Sequence, residues 1–284
     1  MWLWDSRTHQ FIVGKALEKS PASFRNLLDF HQEYLILGIE APDRIFKDFT
    51  NHYFNCTPNK FGVHAGSAIK KIAKELTLLR QQTGSPQKIV LHPKIAPFLK
   101  LLLNTPLKAF IFELGVLSHY IADLHQPLHT DGKERFQDEE TVHKILEADT
   151  RLHLKEFSIK MQKKRFRIKN PLSYFETQVY LINKNYDQII ENYYLSHGKV
   201  KPTRWKRTFP IIEYCLQKAA RNIANIFLDF ENASAIFANE LKKEKLLDKV
   251  RKNLSSQNKY KFVLYPSGTV SLKRRLHHPK GDEK

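Results

Sequence analysis

The sequence predicts an all-α protein, organised as a single multi-helix domain with a basic C-terminal tail. Apolar residues recur at helical spacing along most of the 284-residue chain. Glycine is scarce, with 10 residues, and proline and glycine mark the loops between the helical segments. No apolar run reaches the roughly 18 residues that a membrane-spanning helix needs, so we expect no transmembrane segment.

The predicted helices follow one another with short breaks. Ser6 is a candidate N-cap for a first helix, whose apolar stripe passes through Ile12 and Val13. Pro21 opens a second helix, because proline is favoured in the first helical turn. The pattern is irregular over residues 38–58, which hold prolines and several aromatic residues. Further helices are predicted at about residues 63–80, 95–103, 107–126, 139–157 and 171–195, and a last one begins near Pro210 and breaks around Asn232.

The charge is strongly positive and unevenly distributed. The formal net charge is +18, and the last 44 residues hold 13 Lys/Arg against 4 Asp/Glu. We expect a helical domain over residues 1–254 and a basic tail over residues 255–284, forming a weak hairpin or a disordered segment. Such a tail favours an anionic membrane surface or nucleic acid as partner.

The beginning of the chain and its cysteine content bear on the compartment. The start "MWLWDSRTHQ" lacks the basic region and apolar core of a secretory signal, so a cytoplasmic location is the default expectation. Two cysteines, Cys56 and Cys215, give no disulfide framework and are compatible with a reducing compartment.

The stretch "LGVLSHYIADLHQPLH" places polar residues inside an apolar helical pattern. His119 and Asp123 are four residues apart and therefore lie on one helical face. Pro127 cannot continue the helix interior, so His129 falls on a new segment at the helix end. A buried imidazole or carboxylate is costly unless it is paired or bound to a metal. For this stretch alone, a core His–Asp hydrogen bond and a metal site remain equally open interpretations.

Other His and carboxylate residues also fit poorly into the apolar pattern. They are His9, Asp43, His52, and the pair His143 and Glu147, which are four residues apart on one helical face. The complete set contains imidazole and carboxylate groups without thiolates. That combination suits zinc in hydrolytic sites, which keep open coordination positions, better than structural zinc.

The order of these residues resembles the zinc-dependent phospholipase C family, which shares its all-helical fold with the three-zinc nucleases. The segment "SHYIADLHQPLH" matches the family's central block, an H-x3-D pair followed by a His after Gln-Pro. The segment "APDRIFKDFTNH" supplies the preceding Asp and His, and "HKILE" supplies the closing H-x3-E pair. The resemblance runs from Trp4 to Glu147, about half of the chain.

The resemblance implies a set of zinc ligands. One zinc would be held by Asp43, His52, His119 and Asp123, and a second by His129, His143 and Glu147. A third would use His9 and share Asp123, completed in the family by the free amine of an amino-terminal Trp. Here Trp4 is preceded by Met1, Trp2 and Leu3, and an internal Trp offers an amide instead of an amine. We therefore expect two well-formed sites and a third that is weakened or depends on N-terminal processing.

The resemblance implies a phosphodiester hydrolase, with phospholipase C-like cleavage of a phospholipid by a zinc-activated hydroxide. Asp43 is the candidate to orient or deprotonate the attacking water. Glu147 resembles the phospholipase branch, and Arg44, next to Asp43, favours an anionic or uncharged headgroup over choline. The resemblance would also suggest export from the cell.

Two alternatives remain open. One is a nuclease of the related three-zinc branch, which the net charge of +18 favours. The other is a non-enzymatic basic protein that binds an anionic surface.

Overall fold

The described residues of this computed structural model form a helical domain followed by a two-stranded hairpin, which confirms the predicted all-α class. Described are residues 6–91, 95, 97–131, 139–161, 164–193, 203–256, 260–264 and 270–274. The α-helices are α1 Ser6–Leu17, α2 Ala22–Phe30, α3 Gln32–Ala41, α4 Ala68–Gly84, α5 Pro97–Leu102, α6 Pro106–Asp123, α7 Glu139–Leu152, α8 Pro171–Asn183, α9 Tyr186–Tyr193, α10 Arg204–Phe227, α11 Ala233–Ile236 and α12 Ala238–Ser256. Strands β1 Tyr260–Leu264 and β2 Val270–Arg274 pair antiparallel, with Phe262 opposite Leu272.

Helix α6 is the central element, buried along nearly its whole length. It packs against α1, α3, α4 and α10. Its start is fixed by Thr105, whose hydroxyl accepts a hydrogen bond from the Lys108 amide at 3.3 Å, and by Pro106 in the first turn. Apolar residues on all sides of the helix explain why it lies in the core instead of on the surface.

Two glycines allow α3 and α6 to pack backbone against backbone. A Cβ atom at Gly38 would overlap the carbonyl oxygen of Phe112, and one at Gly115 would overlap that of Leu35. Only glycine fits at this crossing. The close approach also brings the α3 carbonyl group of Ile39 within 2.8 Å of His119 Nδ1.

Several predicted element boundaries were wrong. The segment predicted as irregular from residue 38 is helical through Ala41, because Ile39 and Ala41 still pack into the core, and it continues as a π-helical turn, Pro42–Phe46. Helix α4 begins five residues later than predicted, at Ala68, and α7 ends at Leu152.

The C-terminal half differs from the prediction in two further places. The segment predicted as one helix over residues 171–195 is divided into α8 and α9 by a break at residues 184 and 185. Helix α10 begins at Arg204 and contains Pro210 in its second turn instead of starting there. The break expected near Asn232 is present, between α10 and the short α11. Among the described helices, none is both long and apolar enough to cross a bilayer.

Candidate metal centre

The structure brings all eight sequence-predicted residues into three groups of potential metal ligands. Within each group the ligand atoms lie within 4.8 Å of one another. The groups are His9, His119 and Asp123; Asp43, His52 and His119; and His129, His143 and Glu147. Because His119 belongs to two groups, the first two are parts of one continuous cluster.

Asp123, in the last turn of α6, lies between several imidazoles. Its Oδ2 atom is 2.7 Å from His52 Nδ1 and 3.1 Å from His119 Nε2. Its Oδ1 atom is 3.3 Å from His9 Nε2, on α1, and 3.9 Å from His129 Nδ1. The two oxygens therefore face different histidines, which is the arrangement of a carboxylate that bridges two cations.

Asp43 lies at the edge of this cluster, on the π-helical turn that follows α3. Its Oδ1 atom is 3.2 Å from His119 Nε2 and 3.8 Å from His52 Nδ1. The Asp43 side chain is 21% exposed, whereas those of His119 and Asp123 are fully buried. Asp43 is thus the member of the cluster that solvent reaches most easily.

The third group combines the turn after α6 with α7. His129 Nε2 lies 3.3 Å from His143 Nε2, which is 3.1 Å from Glu147 Oε1. His143 and Glu147 come together because they are one helical turn apart. Gln126 adds a contact that the ligand prediction did not include, with its Nε2 atom 2.6 Å from His143 Nε2.

Hydrogen bonds outside the cluster fix the orientation of the imidazole rings. His119 donates from Nδ1 to the carbonyl oxygen of Ile39, and His129 donates from Nδ1 to the carbonyl oxygen of His52 at 3.1 Å. His52 turns Nε2 towards Asp48 Oδ1, at 3.5 Å. In His119 and His129, Nδ1 is held by a backbone carbonyl group while Nε2 faces the cluster, as metal-binding histidines require.

Asp48 is a functional candidate that the sequence reasoning missed. It accepts hydrogen bonds from the Tyr120 hydroxyl at 2.9 Å and from Asn51 Nδ2 at 2.8 Å, and Lys71 Nζ is 3.6 Å away. Burial would raise the pKa of Asp48, but hydrogen bonds from His52, Asn51 and Tyr120 outweigh it and lower that pKa. Asp48 therefore stays ionised, on the side of His52 that faces away from Asp123. Its position four residues before His52 was the signal available in the sequence.

Several buried polar atoms of the cluster lack a hydrogen-bond partner within the described chain. They are Asp43 Oδ1, Asp123 Oδ1, His52 Nε2 and both ring nitrogens of His9. A buried polar atom without a partner is costly, and five such atoms meet in this one cluster. Imidazole and carboxylate donors converging in this way suit a divalent cation such as zinc.

The electrostatics of the cluster support the same assignment. Burial would lower the pKa of His119, but the carboxylates of Asp123 and Asp43 outweigh it and raise that pKa to about 10. The cluster therefore favours positive charge beside the two carboxylates. In the third group, burial lowers the pKa of His129 to about 4 and that of His143 well below its usual value. Both are neutral imidazoles near pH 7, the form that binds metal.

The side chains of His125 and Arg44 are engaged outside the ligand groups. His125 is occupied elsewhere, since Nδ1 donates to the Ile121 carbonyl and Asn222 donates to Nε2, as expected from its position off the shared face. Arg44 is exposed and pairs with Glu40 at 2.8 Å. Trp4, invoked for the third site, lies outside the described residues.

Comparisons with known proteins identify the family. Two solved structures share the fold: alpha toxin from Clostridium absonum and alpha-toxin from an avian strain of Clostridium perfringens, each with a TM-score of 0.53 and 15% sequence identity. The matches cover 82% and 81% of this chain, respectively, and this chain spans 66% of the length of each toxin chain. No curated protein sequence matches the chain significantly. The family profile described as zinc dependent phospholipase C matches residues 8–207, which is more than half of the chain and confirms the resemblance seen in the motifs. The chain therefore belongs to the zinc-dependent phospholipase C family.

Proposed function

We propose that this protein is a zinc-dependent phosphodiester hydrolase that cleaves phospholipids in the manner of a phospholipase C. The observation that carries the proposal is the convergence of three groups of His, Asp and Glu ligand atoms on one buried centre, with Asp123 facing two of them. Family membership supplies the reaction class, because the matching profile is that of a zinc-dependent phospholipase C.

The ligand groups suggest how zinc would be held. Asp43, His52, His119 and Asp123 would hold one ion, His129, His143 and Glu147 a second, and His9 with Asp123 a third. The third site would bind zinc more weakly, because His9 is the one described ligand that it does not share with the first site. Zinc at these positions supplies a Lewis acid for phosphoryl oxygens and brings the pKa of water near neutrality.

The residues of the chain have distinct tasks around that chemistry. Asp43, partly exposed at the edge of the cluster, would accept the proton of the attacking water and orient it towards phosphorus. His119 and His129 are fixed by backbone carbonyl groups, so they need no reorganisation during turnover.

The partial exposure of the cluster favours an enzyme over a purely structural metal site. The side chains of Asp43 and Glu147 are 21% and 15% exposed, whereas His119 is fully buried. Solvent therefore reaches both carboxylates, and a phosphodiester would approach the ligand groups from there. A non-enzymatic basic protein would have no need of exposed ligand groups.

The substrate class separates the main proposal from the nuclease alternative, which the net charge of +18 supports. We propose a phospholipid because the matching profile is a phospholipase family. Arg44 pairs with Glu40 at 2.8 Å, which offsets part of its charge, so the substrate panel includes a choline headgroup as well as anionic ones.

A substrate panel tests the proposal. The full-length chain, loaded with zinc, is assayed on phosphatidylcholine, phosphatidylethanolamine, phosphatidylglycerol and single-stranded DNA, with the chelated protein as control. Release of diacylglycerol and a phosphorylated headgroup, abolished by chelation, is the expected result. Cleavage of DNA with intact lipids would instead establish the nuclease, and zinc-loaded protein inert on every substrate would contradict both.

A further inference from the structure

An exposed apolar turn lies in the segment between His52 and α4. Residues 58–63 are all exposed, and Phe61 and Val63 keep 76% and 58% of their surface in contact with solvent. Single exposed apolar residues are common on protein surfaces, but a phenylalanine and a valine together at one turn are a candidate contact surface.

Four hydrogen bonds define the conformation of this turn. The side-chain oxygen of Asn59 accepts hydrogen bonds from the amides of Phe61 at 2.9 Å and Val63 at 3.0 Å. The Gly62 amide donates to the Asn59 carbonyl, and the Asn59 amide donates to the Val63 carbonyl, both at 2.9 Å. Gly62 has a φ of +74°, a left-handed conformation that favours glycine. The two apolar side chains are therefore held at a fixed tip and do not collapse onto the protein.

The base of this loop is attached to the metal centre. The amide of Phe54, two residues after His52, donates to the carbonyl oxygen of His129 at 3.0 Å. The amide of Cys56 donates to the carbonyl oxygen of Thr130 at 2.9 Å. These two hydrogen bonds connect the base of the loop to the segments that carry His52 and His129.

We propose that Phe61 and Val63 insert into the surface of a phospholipid aggregate and hold the metal centre against it. The proposal rests on the proposed function, which places the substrate in such a surface. Polar backbone groups must be satisfied internally before they enter an apolar medium, and the amides of Asn59, Phe61, Gly62 and Val63 already are.

Charge favours an anionic lipid surface as the partner. Lys60 is exposed at the same tip, with Nζ 5.0 Å from the centre of the Phe61 ring. A lysine beside an aromatic residue is the combination found where proteins lie in a membrane interface, with the apolar ring buried and the cation among the headgroups. The net charge of +18 adds long-range attraction to the same surface.

Substitutions that keep the turn test the proposal. Phe61→Ser and Val63→Ser retain the backbone hydrogen bonds, and Phe98→Ser, at a 53% exposed phenylalanine on α5, is the matched control. Binding to vesicles of equimolar phosphatidylcholine and phosphatidylglycerol should weaken at least about tenfold for Phe61→Ser and be unchanged for Phe98→Ser. Hydrolysis of a short-chain, monomeric phosphodiester should be unchanged in all three variants.

A second measurement reports the position of the tip directly. Vesicles with brominated acyl chains should quench the tryptophan fluorescence of the Phe61→Trp variant. The fluorescence of Phe98→Trp should be quenched no more than that of the unsubstituted protein. Equal responses at the two positions, or equal loss of vesicle binding in the two serine variants, would overturn the proposal, and so would vesicle-independent loss of turnover in Phe61→Ser. If the fluorescence of Phe61→Trp alone is quenched but the protein hydrolyses no phosphodiester, insertion of the turn into lipid is supported and only the proposed function is refuted.

Discussion

Replacing Asp123 by Asn tests whether the residues around "SHYIAD" form a metal centre or a tolerated polar core. The amide has nearly the same size as the carboxylate, and one oxygen remains to accept a hydrogen bond. What it loses is the negative charge that faces His52, His119 and His9 at distances of 2.7, 3.1 and 3.3 Å.

The two interpretations predict different magnitudes. In a structural core pair, the variant exchanges charged hydrogen bonds for neutral ones, at a cost in unfolding free energy on the order of 1 kcal/mol. In a metal centre, Asp123 faces two groups of ligands, so the loss of charge acts on both. We expect zinc affinity and phosphodiesterase activity to fall by at least about a hundredfold, the upper range for disturbed metal surroundings.

The assay combines circular dichroism, zinc titration against a competing chelator, and hydrolysis of a soluble phosphodiester. His125→Gln is the matched control, because His125 is buried two residues further along but bonds to Ile121 and Asn222. It should lose stability while retaining zinc. A folded Asp123→Asn protein with unchanged zinc affinity and activity would refute the assignment of the cluster as a metal centre.

Three further predictions concern surrounding groups. Asp48→Asn should leave the helical content intact but weaken zinc binding about 10- to 100-fold, because Asp48 holds His52 from behind; unchanged affinity would remove Asp48 from the site. Burial first, and then the carboxylate of Glu75, raise the pKa of Glu113 well above its ordinary value. Since the pKa of Glu113 is higher in the folded than in the unfolded protein, its protonation stabilises the folded state at low pH, and this stabilisation is lost as pH rises through the folded pKa. Urea unfolding over a pH series should show that loss in the native protein and not in Glu113→Gln. Deleting residues 259–284 should spare turnover of a soluble phosphodiester and weaken binding to anionic vesicles or nucleic acid, with a difference that shrinks as salt rises; loss of metal binding would show that the tail belongs to the core.

The candidate ligands could be predicted from the sequence because their chemistry conflicts with their surroundings. His119 and Asp123 are polar residues in an otherwise apolar helix, and a fixed spacing placed them on one face. Their partners could not be derived from spacing alone, since His52 contacts Asp123 across 71 residues. The segment of His52 is held next to the turn after α6, where His129 Nδ1 donates to the His52 carbonyl and the Phe54 amide donates to the His129 carbonyl, which is a tertiary property.

Other features were missed because the local sequence pattern carried only a weak signal for them, as with the spacing of Asp48 and His52, or none. Asp48 looks like an ordinary loop carboxylate until Tyr120 and Lys71 are seen around it. The π-helical turn at Pro42–Phe46, which places Asp43 at the edge of the cluster, has no recognisable sequence pattern. Helix ends were misplaced where the apolar periodicity continued across a break, as between α8 and α9.

Zinc content is the most direct test of the central claim, that these eight side chains form a metal centre. Elemental analysis of the purified full-length chain, after zinc reconstitution and removal of free metal, should find about two tightly held zinc ions and a third that exchanges readily. The second site should be lost selectively in His143→Gln, whose ring lies in the group of His129 and Glu147. A reconstituted, folded protein that retains no zinc would contradict the account.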